Sequence, residues 1–300
     1  MSRKTATMIE LGTIYVFSFA LGAVLYLVLK PWIANAVIRM LLADVAMTVL
    51  IWVFGLIRRN SSVYDPYWSV VPPLILLGWM VDSVAIWTTP TVLLFLGVAF
   101  WAVRLTSNWA LGWTDFSDQD WRYTMIREKH PRLWPLSNFF GIMLMPTTIV
   151  FIQLIGSYEL IALQAEANVW SWIGFAMIIG AALIQYVADG QMRRFKETHK
   201  GSKKCIEEGL WKWSRHPNYF GEVTVWWGVY VMYVGVTGRL DLIILPPILM
   251  TLLFLFISIP MMENKILRTR PEYADYQERV SMIVPLPQRR LKDDEATANE

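Results

Sequence analysis

The chain holds one cysteine, Cys205, in 300 residues, so no internal disulfide can staple it. Charge is scarce as well: Asp, Glu, Lys and Arg make up 17% of the residues, where a soluble domain carries about one-quarter. The three histidines, His130, His199 and His216, are scattered and show no spacing of a zinc site, so no metal is expected. No Gly-x-Gly-x-x-Gly follows a strand-like run and no Gly-x-x-x-x-Gly-Lys-Ser/Thr loop occurs, which excludes a Rossmann domain or a P-loop as the holder of a nucleotide. A Gly-x-Ser-x-Gly elbow and a metal-binding His/Glu pair are missing too. Nothing in composition or charge runs points to nucleic acid or to a protein partner.

What is present is apolar. Hydrophobic residues make up 55% of the chain and its mean hydropathy is +0.40, so a bilayer is its natural solvent. Apolar stretches fall at 10–30, 37–57, 68–88, 91–112, 138–160, 169–190, 219–236 and 240–262. Each approaches the about 20 residues that cross a hydrocarbon core about 30 Å thick. The expected fold is an all-α integral membrane protein, a bundle of seven or eight transmembrane helices with both termini cytoplasmic. Pro72, Pro73 and Pro90 leave the division of 68–112 open. The first apolar run, behind Met1-Ser-Arg-Lys4, is too long for a signal-peptide core and reads as a retained span. Residues 1–290 are expected to form one polytopic domain and 291–300 a disordered polar tail. The 16 Trp and 12 Tyr suit helix ends at the headgroups.

Charge placement supports this topology independently. With both termini inside, only Lys30, Arg39 and Arg239 of the 27 Lys and Arg lie outside, and Arg104 lies within a span. That asymmetry is the positive-inside pattern, and it predicts a multi-pass protein of the bacterial inner-membrane kind. The inner loops are also the longer and chemically richer ones, so function is expected on the cytoplasmic side.

Ionisable groups at membrane depth mark pathways or sites, and Asp44, Arg104, Asp189 and Glu222 stand out. Asp44 reads equally well as a hydrogen-bond partner for another helix. Arg104 has Asn108 on the same helical face and has three open readings: a phosphate ligand, a partner for Asp44, or a side chain snorkelling to the surface. Gln185, Asp189, Arg193 and Lys196 form one polar stripe at helical spacing. Asp189 and Arg193 alone would be an i,i+4 pair, but the length of the stripe favours a ligand. Lys200, Lys203 and Lys204 suit lipid headgroups by default, or a phosphate-bearing cofactor. In Glu208-Gly-Leu-Trp211-Lys-Trp-Ser-Arg215-His216-Pro-Asn218-Tyr219-Phe-Gly-Glu222, Pro217 marks a loop, Asn218 is a plausible helix cap, and Glu222 shares its face. Asp65-Pro66 reads as a helix opening with Asp65 as its cap, and Tyr64, Tyr67 and Trp68 as an interfacial belt.

Arg215-His-Pro-Asn-Tyr-Phe-Gly-Glu222 closely resembles the signature of the steroid 5-alpha-reductase family (3-oxo-5-alpha-steroid 4-dehydrogenases) and its bacterial relatives, and is similar to a stretch of the sterol C14 and C24 reductases. The likeness runs from about residue 60 to 287 and includes Tyr273-Ala-Asp-Tyr276-Gln-Glu-Arg-Val-Ser-Met-Ile-Val-Pro285. It implies an all-helical membrane enzyme that uses NADPH to reduce the carbon–carbon double bond of a lipophilic, steroid-like enone. Asn218 and Glu222 match cofactor-contacting positions, and Gln185, Asp189 and Arg193 fall on the cofactor-lining helix. The implied cofactor set is Arg104, Asn108, Gln185, Asp189, Arg193, Lys196, Lys203, Lys204, Trp211, Arg215, His216, Asn218, Tyr219, Glu222 and Tyr276, with Lys203 and Lys204 placed for the 2′-phosphate.

The segment Asp65-Pro-Tyr-Trp-Ser-Val-Val-Pro72 resembles the stretch whose leading acid hydrogen-bonds the substrate ketone. The resemblance thus implies a catalytic Asp65, neutral when it donates to the carbonyl. The family's carbonyl-binding tyrosine lies three residues before an arginine; here Trp101 precedes Arg104, so either Tyr64 or Tyr67 supplies the hydroxyl or the substrate is held differently. Two other classes compete. A membrane methyltransferase using S-adenosylmethionine shares Arg-His-Pro-x-Tyr but typically shows paired glutamates where this chain has Met262-Glu263-Asn264. A transporter or lipid-binding scaffold would carry polar groups through to the outer face, where this chain has few.

Overall fold

The structure, a computed structural model, describes residues 1–83 and 87–289. The expected tail at 291–300 lies outside the described residues. The described residues form helices and connecting turns without a strand.

Among the described residues, ten helices longer than four residues carry the chain. They are α1 (Arg3–Val28), α2 (Ala36–Arg58), α3 (Tyr67–Asp82), α4 (Thr89–Gly112), α5 (Trp121–Lys129), α6 (Pro131–Leu163), α7 (Val169–Thr198), α8 (Pro217–Thr237), α9 (Leu242–Thr269) and α10 (Tyr273–Arg279). Six of them, α1, α2, α4, α6, α7 and α9, are long and apolar enough to cross a membrane. The two other expected spans are helical too. α3 has 16 described residues, and α8 has 21 but places Asn218 and Glu222 in its first turns. Large apolar side chains on the outside, such as Val16 of α1, Val103 of α4, Tyr186 of α7 and Phe256 of α9, are more than 60% exposed and form a surface suited to lipid.

Local chemistry sets the helix ends. The Asn35 side chain accepts from the Val37 and Ile38 amides to open α2, and Asn168 with Ser171 builds a capping box on α7. α8 opens with Pro217 in its first turn and closes on Gly238 at φ 67°, a left-handed conformation that favours glycine. α6 and α9 each contain a wide π turn, Asn138–Leu144 and Phe254–Ser258, ending two residues before Pro146 and Pro260. A proline ring collides with the carbonyl four residues back, and the wider turn gives that carbonyl room. α3 instead runs straight through Pro72 and Pro73, so the stretch from residue 67 to 82 is one helix.

Contacts between helix ends sort them into two faces. Lys4 of α1 reaches the Leu111 carbonyl at the end of α4, and Arg58 at the end of α2 pairs with Glu10. At the opposite face Lys30 and Arg39 both hold Asp82, each at 2.6 Å, and Arg239 pairs with Glu159. The first face gathers the starts of α1 and α8 and the ends of α2, α4 and α7; with the basic segments 193–215 and 265–289 it is the basic face.

The centre of the bundle is the α7–α8 pair, with α4 laid against both. Its closeness comes from glycine. A Cβ at Gly174 would lie 2.6 Å from the Gly228 carbonyl, and one at Gly228 would lie 2.9 Å from the Gly174 carbonyl. Small residues let membrane helices touch backbone to backbone, where dispersion is the main attraction. Gly174→Val should therefore lower stability in detergent by about 1–3 kcal/mol, the usual cost of overpacking. Gly180→Ala, on the same helix with open space around it, should leave the melting temperature unchanged or slightly higher. Equal melting temperatures for the two variants would contradict this packing.

Candidate functional site

Three helices, α4, α7 and α8, meet at the basic face around a polar layer. Gly221 lets α8 settle on α7: a Cβ there would lie 2.7 Å from the Ala181 carbonyl and 2.4 Å from Gln185 Cγ. That approach brings Glu222 to Gln185. The Glu222 carboxylate is buried and accepts three hydrogen bonds, from Gln185 Nε2 at 2.7 Å, Trp101 Nε1 at 3.0 Å and Trp226 Nε1 at 3.1 Å. The two indoles meet edge to face with centroids 5.0 Å apart. Trp101 thus stands where the resemblance leads one to expect a hydroxyl, but its N–H is spent on Glu222.

Above this layer Arg104 donates to Gln185 Oε1 at 3.2 Å and forms an ion pair with Asp189. Asn218 Nδ2 reaches the other Asp189 oxygen at 3.3 Å, and Arg193 donates to Asn108 at 2.7 Å. The Gln185–Asp189–Arg193 stripe therefore runs along one continuous helix and is read by α4 and α8. Two local readings of the sequence are corrected. Asp189 and Arg193 do not pair along α7, because each finds a partner on α4 that removes it from lipid. Asn218 does not cap α8, because Pro217 already opens that helix and the Asn218 amide crosses to α7. Arg104, for its part, pairs with Asp189; Asp44 instead accepts from the Tyr67 hydroxyl at 2.7 Å.

Outside the polar layer lies a cavity of about 1120 Å³ on the basic face. It is lined by Asn108, Asp189, Arg193, Lys196, Lys204, Trp211, Arg215, His216, Asn218, Tyr219 and Tyr276, all expected site residues. Arg104, Gln185 and Glu222 form the layer behind its wall, and Lys203 is exposed outside it. Its charges are Arg193, Lys196, Lys200, Lys204, Arg215, Lys265 and Arg270 against Asp189 and Glu197. Trp121, Phe195, Trp211, Tyr219, Tyr273 and Tyr276 supply flat apolar walls. The loop over it is anchored to α7: Trp211 Nε1 donates to the Ala188 carbonyl at 3.0 Å, and the Tyr276 hydroxyl to the Trp211 carbonyl at 2.5 Å.

Glu263 of α9 organises the far wall and carried no weight in the sequence beyond its lack of a neighbouring acid. His216 Nε2 lies 2.9 Å from Glu263 Oε1, the Tyr273 hydroxyl donates to the same oxygen at 3.1 Å, and Gln277 Nε2 to the other at 2.6 Å. Arg215 Nε lies 3.3 Å from Oε1 as an ion pair. His216 stacks on Tyr219, its ring 5.2 Å away and within 7° of parallel. The Arg215-His216-Pro217 loop is thereby clamped to α9. No local spacing pointed to this cluster, because its members come from the start of α8, from α9 and from α10.

Asp65 lies on the other side of α5. It does not cap α3, which starts at Tyr67 without a side-chain cap, because its carboxyl is drawn away to α5. The Tyr123 hydroxyl donates to Asp65 Oδ1 at 2.5 Å, and the Ser62 hydroxyl next to it accepts from the Asp120 amide at 2.9 Å. Asp120 opens α5 and holds Arg122 through Nε at 2.8 Å and Nη2 at 2.9 Å. Burial pushes the Asp65 carboxyl up to about 7, against the hydrogen bonds from Tyr123 and Ser62, which favour its ionised form. Tyr64 and Tyr67 turn elsewhere: the Tyr64 hydroxyl is 2.6 Å from Thr147 Oγ1, and that of Tyr67 is on Asp44. Neither they nor Asp65 line the cavity. Trp121, two residues before Tyr123, does, with Lys265 Nζ 3.9 Å above its ring. α5 is the partition between cavity and Asp65, and Tyr123 is the hydroxyl that the sequence did not single out.

Residues 51–280 match the family described as "Protein of unknown function (DUF1295)", and the chain belongs to that family, which includes steroid 5-alpha-reductase-like proteins. An uncharacterized protein of Schizosaccharomyces pombe is 22% identical over 228 residues, covering 67% of this chain and 64% of the relative. The chain thus spans a little under two thirds of that relative's length. No solved structure matches.

Arg104 and Asp189 are nearly buried partners, so removing one strands the other. Arg104→Leu or Asp189→Leu alone should cost about 3–5 kcal/mol, while the double replacement should cost clearly less than the sum. Additive losses in thermal unfolding would show that the pair does not hold α4 to α7.

Proposed function

We propose that this DUF1295 member is an NADPH-dependent reductase of the carbon–carbon double bond in a lipophilic enone, of which a 3-oxo-4-ene steroid going to its 5-alpha-dihydro product is the type. The observation that carries this reading is the cavity, where seven basic side chains face two acidic ones among aromatic walls. Such a lining fits a planar, multiply anionic nucleotide. It suits S-adenosylmethionine, with its cationic sulfonium, far less well. With the basic face taken as the cytoplasmic one, as the charge asymmetry of the sequence suggests, soluble NADPH reaches this cavity and the substrate comes from the bilayer.

In this reading Arg193, Lys196 and Lys204 hold phosphates, Trp211 and Tyr219 flank a ring, and Asn218, backed by Gln185 and Glu222, fixes the inner end. When bound, NADPH supplies a hydride for the β-carbon of the enone. The chain's own task is to polarise the carbonyl and to hold the enolate that develops. Asp65 does this by donating from its neutral carboxyl, while Tyr123 fixes the other oxygen of that carboxyl. The α-carbon then takes a proton, so hydride and proton together saturate the double bond.

The pH dependence follows from the Asp65 carboxyl. Its neutral form predominates below about 7 and is lost above, so turnover should fall on the alkaline side of that value. The Tyr123 hydrogen bond favours the ionised form, so Tyr123→Phe should move the alkaline limb to higher pH. Asp65→Ala should abolish turnover of an enone while NADPH binding survives, and Asp65→Asn should keep partial turnover with a flatter profile. Wild-type turnover in Asp65→Ala would remove Asp65 from the mechanism.

A further inference from the structure

α4 and α7 run side by side toward the basic face, with Gly97 against Ile178, Arg104 against Gln185 and Asn108 against Arg193. On their outer side they leave a second cavity of about 780 Å³, which adjoins the one read as the cofactor site and shares Asn108, Leu111, Asp189, Arg193 and Glu197 with it. Its deep end is made by Phe100, Val103 and Leu183, exposed by 42%, 66% and 47% to the surroundings of the bundle. Arg104, paired with Asp189, lies midway along it, and its shallow end carries Arg193 and Arg194, with Glu197 as the opposing charge.

Three features of this groove go together. Its polarity is graded along the helices, apolar toward the bundle centre and cationic toward the basic face. From Phe100 to Leu111 a helix rises roughly 16 Å, about half of a hydrocarbon core, so the groove is one leaflet deep. Its cationic end is also unsatisfied. Asp189 is already taken by Arg104, yet the buried Arg104 Nε has no partner among the described residues, and Arg104 is only 8% exposed. Arg194 forms no ion pair among them either, and it lines this groove but not the larger cavity.

We propose that this groove is a binding site for an anionic phospholipid of the leaflet on the basic face. The acyl chain lies along Phe100, Val103 and Leu183, and the headgroup phosphate meets Arg194 and the free N–H of Arg104. A free phosphate or nucleotide would satisfy the cations but leave the apolar half exposed to lipid. A zwitterionic lipid would bring a phosphate accompanied by its own cation. Arg193 stands at the boundary, lining both cavities while bonded to Asn108, so the bound lipid also closes the outer side of the wall that Asn108 and Arg193 form.

The test is native mass spectrometry of the delipidated protein in detergent, mixed with equal amounts of phosphatidylglycerol and phosphatidylcholine bearing the same chains. The expected result is preferential retention of one phosphatidylglycerol. Arg194→Gln should reduce that preference about fivefold, the effect of one basic side chain on an anionic headgroup. Val103→Trp, which fills the deep end without changing charge, should reduce retention of both lipids. Lys212→Gln, an exposed change elsewhere on the basic face, should leave the preference intact. Equal retention of the two lipids by the wild type would overturn the proposal. An equal loss in Lys212→Gln and Arg194→Gln would overturn it in favour of diffuse attraction. Displacement of the lipid by an equal concentration of glycerol phosphate would overturn it in favour of a soluble-phosphate site.

Discussion

A carboxylate inside a membrane bundle must collect donors from whatever helices surround it, because lipid offers none. Glu222 is that group here, and its three donors come from α4, α7 and α8. Gln185 uses the other end of its amide to accept from Arg104, which in turn holds Asp189. The chain of contacts makes three helices one rigid unit at the basic face. Both cavities are built on it: the wall of the large cavity on one side, and the lipid-facing groove between α4 and α7 on the other. Glycine makes the unit possible, since Gly174, Gly221 and Gly228 allow the backbones close enough for these short side chains to meet.

Much of this was legible in sequence. Apolar runs located every long helix, and charge asymmetry separated the two faces. The stripe from Gln185 to Lys196 and the Arg215–Glu222 segment pointed to the residues that wall the cavity. Those features are local, and helical spacing alone decides which side chains share a face. What stayed hidden depends on which helices become neighbours. Arg104 had three readings until α7 was placed beside it. Asp189 and Arg193 lie one turn apart, so spacing left a pair along α7 open beside a ligand stripe, yet both look across to α4. Glu263 seemed a solitary acid, and only the fold brings His216, Tyr273 and Gln277 around it.

Asp65 shows the same limit from the other direction. Its place before Pro66 reads as a cap, but the carboxyl is held by Tyr123, fifty-eight residues along the chain. The resemblance to the reductases singled out Asp65 and offered Tyr64 or Tyr67 in place of the family's carbonyl-binding tyrosine. Both of those tyrosines are committed elsewhere within the bundle. α5, a short polar helix with no apolar stripe, is the element that joins the two halves of the proposed site. Trp121 faces the cavity and Tyr123 faces Asp65, so a small shift of this helix changes both at once.

The central claim is that the cavity on the basic face holds a nicotinamide dinucleotide phosphate. Trp121 and Trp211 line it, so nucleotide binding is readable as quenching of their fluorescence by a bound reduced nicotinamide. The decisive measurement is a titration of the purified protein with NADPH, NADH and S-adenosylmethionine under the same conditions. The account predicts saturable quenching by NADPH, weaker binding of NADH because it lacks the 2′-phosphate, and no competition by S-adenosylmethionine. Binding of S-adenosylmethionine that displaces NADPH, or no saturable binding of NADPH at all, would contradict it.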